Sequence, residues 1–158
     1  MAKPLTPPPL STAALDTDFT RADIELVGVD HSGSSYEGRI YVNNPDADET
    51  TERSPEAGYV GSYHIFGHGG CLGDPGHCDV EPRDPYDPRP GHPLTRARKV
   101  VIASEVLREA LAGDEVTITI VPVVRSVGPK SGWDDEIVKL DAVRIVTYRW
   151  GEVPPIRS

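Results

Sequence analysis

Strict two-residue alternation is the feature that most narrows what this chain can become. From Glu115 to Val124 the residues Val116, Ile118 and Ile120 alternate with Thr117 and Thr119, which puts β-branched apolar side chains on one face of an extended strand and hydroxyls on the other. Pro122 lacks the N–H that an interior ladder needs, so the end of this strand belongs at a sheet edge. A helix would scatter these residues around its circumference instead of lining them up.

The same reading extends along the chain. Asp23 to Val29 and Glu37 to Asn43 read as strands, the second with Ile40 and Val42 on one face and Arg39 and Tyr41 on the other, as in a sheet with one buried face. Gly58 to His68 reads as a third, with Val60, Ser62, His64, Phe66 and His68 on one face and Tyr59, Tyr63 and Ile65 on the other. Lys99 to Ala103 is β-branched and strand-like, and Ile137 to Trp150 supplies the last one or two strands. Between them Ser104 is placed to cap a short helix, Glu105 to Leu111, ended by Gly113. With 16 prolines and 15 glycines, the chain has the turns that many short strands require. The expected fold is mostly β: an antiparallel β-sandwich or jelly-roll-like barrel with one short helix and a long His/Cys-rich loop.

The domain plan that follows is a Pro-rich tail or linker over residues 1–20, one β-sandwich domain over 21–152 with an inserted loop at 67–95, and a short tail over 153–158. The acidic stretch from Asn43 to Glu52 reads as an exposed loop. Trp133, beside Asp134 and Asp135, reads as a cap on one end of the sandwich.

A formal net charge of −9 gives a negative field that disfavours nucleic acid and anionic lipid as partners. No stretch reaches the roughly 20 apolar residues of a membrane span, and the N-terminus lacks the apolar core of a secretory signal. The expected compartment is the cytoplasm, with export alongside a partner as the alternative. The glycines near Gly69 lack the Lys or helix start of a phosphate cradle, so no nucleotide or organic cofactor is expected.

Chemistry concentrates in one place. Of five histidines and two cysteines in the chain, four histidines and both cysteines fall between His64 and His92, in the run His64-Ile-Phe-Gly-His68-Gly-Gly-Cys71-Leu-Gly-Asp74-Pro-Gly-His77-Cys78. Imidazole and thiolate are the donors that zinc and copper prefer, and glycines let a short loop fold back so that several donors converge. The candidate metal ligands are His68, Cys71 and Cys78, completed by His77, His64 or His92. Adjacent His77 and Cys78 are awkward as joint ligands of one ion, and a Cys71–Cys78 disulfide or two structural thiols are the alternatives. A closed set of four ligands would hold structural zinc; an open position would transfer copper or activate water.

The strand framework also resembles a known family. Tyr59-Val-Gly-Ser62 on a strand, then Ser104-Glu-Val-Leu-Arg-Glu-Ala-Leu111, then Glu115-Val-Thr-Ile-Thr-Ile-Val-Pro122 resemble successive motifs of the C-terminal β domain of tyrosinases and polyphenol oxidases. The resemblance covers residues 22 to 150. It implies a β-sandwich that packs over a type-3 copper enzyme and shields its active site, while the copper-binding helices of the catalytic domain are missing from this sequence. The function expected from residues and resemblance together is a metal-binding accessory or interaction domain that stabilises, shields or supplies metal to a partner protein, without catalysis of its own. A small metalloenzyme with an open His/Cys centre and a purely structural assembly domain are the rivals. Oligomeric state is not legible.

Overall fold

The computed structural model describes residues 2–67, 95–124 and 136–149. Among these, eight strands and one α-helix run in the order β1 (Leu10–Ser11), β2 (Arg21–Val29), β3 (Tyr36–Val42), β4 (Tyr59–Ile65), β5 (Ala97–Ile102), α1 (Ser104–Ala110), β6 (Glu115–Val116), β7 (Ile118–Val123) and β8 (Ala142–Tyr148), with a single 3-10 turn, Pro55–Ala57, before β4. Every pairing is antiparallel, in two three-stranded sheets of order β5-β2-β8 and β4-β3-β7 and a two-stranded ribbon β1-β6. The expected β-sandwich is what forms. Described strands do not close into a barrel.

The two larger sheets face each other across one core. Ile24 and Leu26 of β2, Val101 of β5 and Val143 and Ile145 of β8 meet Ile40 and Val42 of β3, Tyr63 and Ile65 of β4 and Ile118 and Ile120 of β7. Leu107 and Leu111 close this core from the helix. The alternation read from Val116, Ile118 and Ile120 therefore selects the buried face correctly, and β7 is an edge strand with Pro122 opposite Gly38 of β3. Gly38 itself makes room for an aromatic ring: a Cβ there would lie 2.4 Å from the ring of Tyr63. Tyr63 thus crosses the strand beside it and meets Tyr36 edge-on, with ring centroids 5.9 Å apart.

Several expectations change on contact with the structure. The strand β3 is buried on both faces, because the acidic loop after it folds back over Tyr41. Arg39 donates from Nη1 to the Glu49 carbonyl at 2.9 Å, the Tyr41 hydroxyl donates to the Thr51 carbonyl at 3.0 Å, and Ala47 packs with Tyr41 and Val121 in a small second cluster. A loop rich in carboxylates covers an apolar patch by bonding through its backbone carbonyls while its charges stay in water.

Thr119, expected outside, is fully buried. The N-terminal segment, read as a tail, covers it: Leu5 and Ile120 exchange two backbone hydrogen bonds of 2.9 Å, Thr6 Oγ1 lies 3.1 Å from Thr119 Oγ1, and Leu10 pairs with Val116. Prolines in this segment forbid helix but permit an extended chain on a sheet edge, where every second amide is free of the ladder. Ser104 does not cap the helix. The N-cap position is Ala103, and Ser104 Oγ instead accepts the Ala22 amide at 3.0 Å, at the start of β2. The last expected strand segment resolves into the single strand β8, preceded by a stretch without ladder pairing in which Val138 is buried.

Candidate functional site

The His/Cys-bearing stretch begins and ends at one corner of the sandwich. Its entry is Gly67, two residues beyond β4, and its exit is Thr95, two residues before β5. Both ends are fastened to the turn between β2 and β3. Ser35 Oγ accepts the Gly67 amide at 2.9 Å, and His31 donates from Nε2 to the Thr95 carbonyl at 2.7 Å, which assigns the proton to that ring nitrogen. Gly67 approaches this turn so closely that a Cβ would lie 2.1 Å from the Gly33 carbonyl oxygen.

The turn has its own internal bracing. Asp30 Oδ1 accepts the Ser32 amide at 2.8 Å, and the Asp30 amide donates to the Lys139 carbonyl at 2.9 Å. Burial opposes ionisation of the Asp30 carboxyl, but the Ser32 hydrogen bonds and the charges of Arg96 and Lys139 outweigh it and hold the pKa below the ordinary aspartate value. A charged Asp30 keeps the turn in shape, and the turn holds both ends of the stretch.

Of the six candidate ligands, His64 lies on β4 and is exposed, on the face that the alternation separated from Tyr63 and Ile65. His68, Cys71, His77, Cys78 and His92 lie outside the described residues, as does Trp133. Among the described residues no group of three or more His, Cys, Asp or Glu side chains is arranged to hold a metal ion. His31, the one histidine that the sequence reading left aside, stands at the exit of the stretch. Its place in His31-Ser-Gly-Ser-Ser35, a turn sequence between two strands, was the only available signal.

Beside this corner, on the outer face of the β4-β3-β7 sheet, lies an open cleft of about 520 Å³ bordered by Ser35, Glu37, Arg53, Ser62, His64 and Phe66, among others. Glu37 and His64 are direct cross-strand partners, so their side chains leave the same face. Glu37 is nearly buried: its Oε2 accepts from Arg53 Nη2 at 3.2 Å and faces Arg39 Nε at 3.5 Å. Phe66 projects from the rim with 83% of its surface exposed. Behind the cleft, burial raises the pKa of the Tyr36 phenol and drives that of Tyr63 well above its usual value, and each hydroxyl has the other at 3.3 Å. Both stay neutral at any physiological pH.

On the opposite sheet, the carboxylates Asp23 and Glu25 are buried on the outer face of the central strand. Arg21 holds Asp23 through two bonds of 2.7 and 2.8 Å, and Arg98 holds Glu25. That their arginines fold over them is not visible in the sequence.

No protein-family model matches the chain, and no curated protein matches it. Solved structures do. Latent aurone synthase, a polyphenol oxidase, from its natural source is similar at 13% identity and TM-score 0.51, with 92% of this chain and 24% of that one covered. The recombinantly expressed enzyme is similar at 14% identity and TM-score 0.53, and its form co-crystallised with hexatungstotellurate(VI) at 13% and 0.54, each with the same coverage. No helix among the described residues is long and apolar enough to cross a membrane. The chain spans about a quarter of the length of these polyphenol oxidases, and what it shares with that portion is the fold.

Proposed function

We propose that the chain is a metal-binding accessory domain for a type-3 copper oxidase, which it stabilises, shields or supplies with metal. The observation that carries this reading is the double fastening of the His/Cys-bearing stretch: Gly67 to Ser35 and Thr95 to His31, both on one turn. Anchoring both ends at one corner limits the volume that the intervening donors explore, which lowers the entropy lost when they converge on an ion. His64 lies on the strand that leads into that corner. The ligand set is His68, Cys71 and Cys78 with His77, His64 or His92 as the fourth; a thiolate–imidazole set of this kind accepts Zn²⁺ or Cu(I).

Fold likeness to a portion of a latent polyphenol oxidase supports the choice of partner. In this reading the domain lies against a copper enzyme encoded separately or elsewhere in a longer chain. The test is transfer. Chain loaded with Cu(I) is mixed with a copper-free polyphenol oxidase catalytic domain, and phenol oxidation is followed. Recovery of activity faster than with the same copper held by glutathione supports delivery. Equal rates, together with no co-elution of the two proteins, overturn the partner assignment.

A further inference from the structure

The cleft beside His64 has a chemistry of its own: of its lining residues the proposed metal set draws only on His64, as one of three choices for the fourth ligand. Its volume of about 520 Å³ lies within the roughly 300–1,000 Å³ of small-molecule pockets. At its base two guanidiniums, Arg39 and Arg53, face the carboxylate of Glu37, so among the described residues this trio carries one net positive charge, within a chain of net charge −9.

The two arginines are not equivalent. Arg39 is nearly buried and committed to the Glu49 carbonyl. Arg53 is 41% exposed and lines the cleft, where its Nη2 donates to Glu37 Oε2. A guanidinium has five N–H donors in a planar fork that matches a carboxylate. His64 adds a ring N–H on the strand next to Glu37, and Ser35 and Ser62 add hydroxyls. The remaining walls are Tyr36, Ile65, Val123 and the bare ring of Phe66. The local positive charge disfavours cations, and an uncharged ligand would gain no charge-assisted bond from Arg53.

We infer that this cleft binds a small aromatic carboxylate, with its carboxylate on Arg53 and His64 and its ring against Phe66 and Val123. The ligand is an anion held by charge-assisted hydrogen bonds at one end and by apolar contact at the other. Binding here does not require metal and does not involve the cysteines.

Benzoate is the probe, with benzyl alcohol as an uncharged aromatic control, titrated into the full chain while amide resonances are followed by NMR. Benzoate should shift the amides of Arg53, Ser62, His64 and Phe66, and benzyl alcohol should bind roughly tenfold more weakly, since the charge-assisted bonds are lost. Arg53→Gln should erase that preference. Phe66→Ala removes an exposed ring outside the core, so it leaves the fold intact and should weaken benzoate about threefold or more. Equal binding of the two probes, shifts confined to other parts of the molecule, or full benzoate affinity in a folded Phe66→Ala variant would each overturn the inference.

Discussion

His31 donates from Nε2 to the carbonyl oxygen of Thr95 at 2.7 Å. That one bond ties the exit of the His/Cys stretch to the β2–β3 turn, as Ser35 ties its entry through Gly67. Each exposed hydrogen bond of this kind contributes about 0.5–1.5 kcal/mol. The variant Ser35→Ala is therefore expected to speed amide exchange at Gly67 by up to about tenfold while leaving the melting temperature within a few degrees of the parent. Unchanged exchange at Gly67 would show that the anchor is not formed in solution.

Gly38 sets the position of the Tyr63 ring. Adding a Cβ at 2.4 Å from that ring forces Tyr63 out of the core or bends β3, and overpacking of this type costs about 1–3 kcal/mol. Gly38→Ala is expected to lower the melting temperature by roughly 2–4 °C per kcal/mol for a chain of this size. A thermal scan that shows no loss would mean that the ring is not seated across the strand.

The buried phenols make stability depend on alkaline pH. Burial, reinforced by Tyr36, raises the Tyr63 pKa above its ordinary 10.0 in the folded state, and burial likewise raises that of Tyr36. An unfolded chain ionises these phenols near 10.0 and the folded one does not. The stabilisation is thus complete below pH 10 and is lost as pH rises beyond it. Absorbance at 295 nm should show Tyr36 and Tyr63 ionising only together with loss of near-ultraviolet circular dichroism; ionisation of all six tyrosines near pH 10 in a folded protein would contradict this.

The N-terminal segment belongs to the fold. Removing residues 1–11 deletes the two Leu5–Ile120 backbone bonds, the Leu10–Val116 pairing and the cover over Thr119. At about 1 kcal/mol for each hydrogen bond and each half-buried leucine, less the entropy of ordering the segment, the expected loss is about 1–3 kcal/mol. It is read from the urea midpoint. A truncated chain with the parent midpoint would restore the reading of this segment as a tail.

What was legible in the sequence follows from how local each signal is. Alternation picked the inward face of β7 and separated Tyr63 and Ile65 from His64 on β4, because a strand's side chains report their own face, and Pro122 marked an edge because it cannot donate. Burial of both faces of β3 was not legible, since it depends on a loop of carboxylates returning over Tyr41 through its carbonyls. Ser104 was misassigned for a related reason: its hydroxyl had two possible partners, and the nearer one in space, Ala22, is 82 positions away in the chain. Among candidate ligands only His64 could be placed. The roles of His31 and Ser35 emerged from tertiary proximity that no spacing encodes.

Metal content tests the central claim most directly. The chain, purified under reducing conditions and equilibrated with zinc or Cu(I), is assayed by elemental mass spectrometry beside Cys71→Ser and Cys78→Ser. The account predicts one ion per chain, lost or weakened at least tenfold in both variants, because each removes a thiolate donor. No stoichiometric ion in the parent, with Cys71 and Cys78 unreactive to thiol reagents until reduced, would contradict it and leave a disulfide-closed β domain in its place.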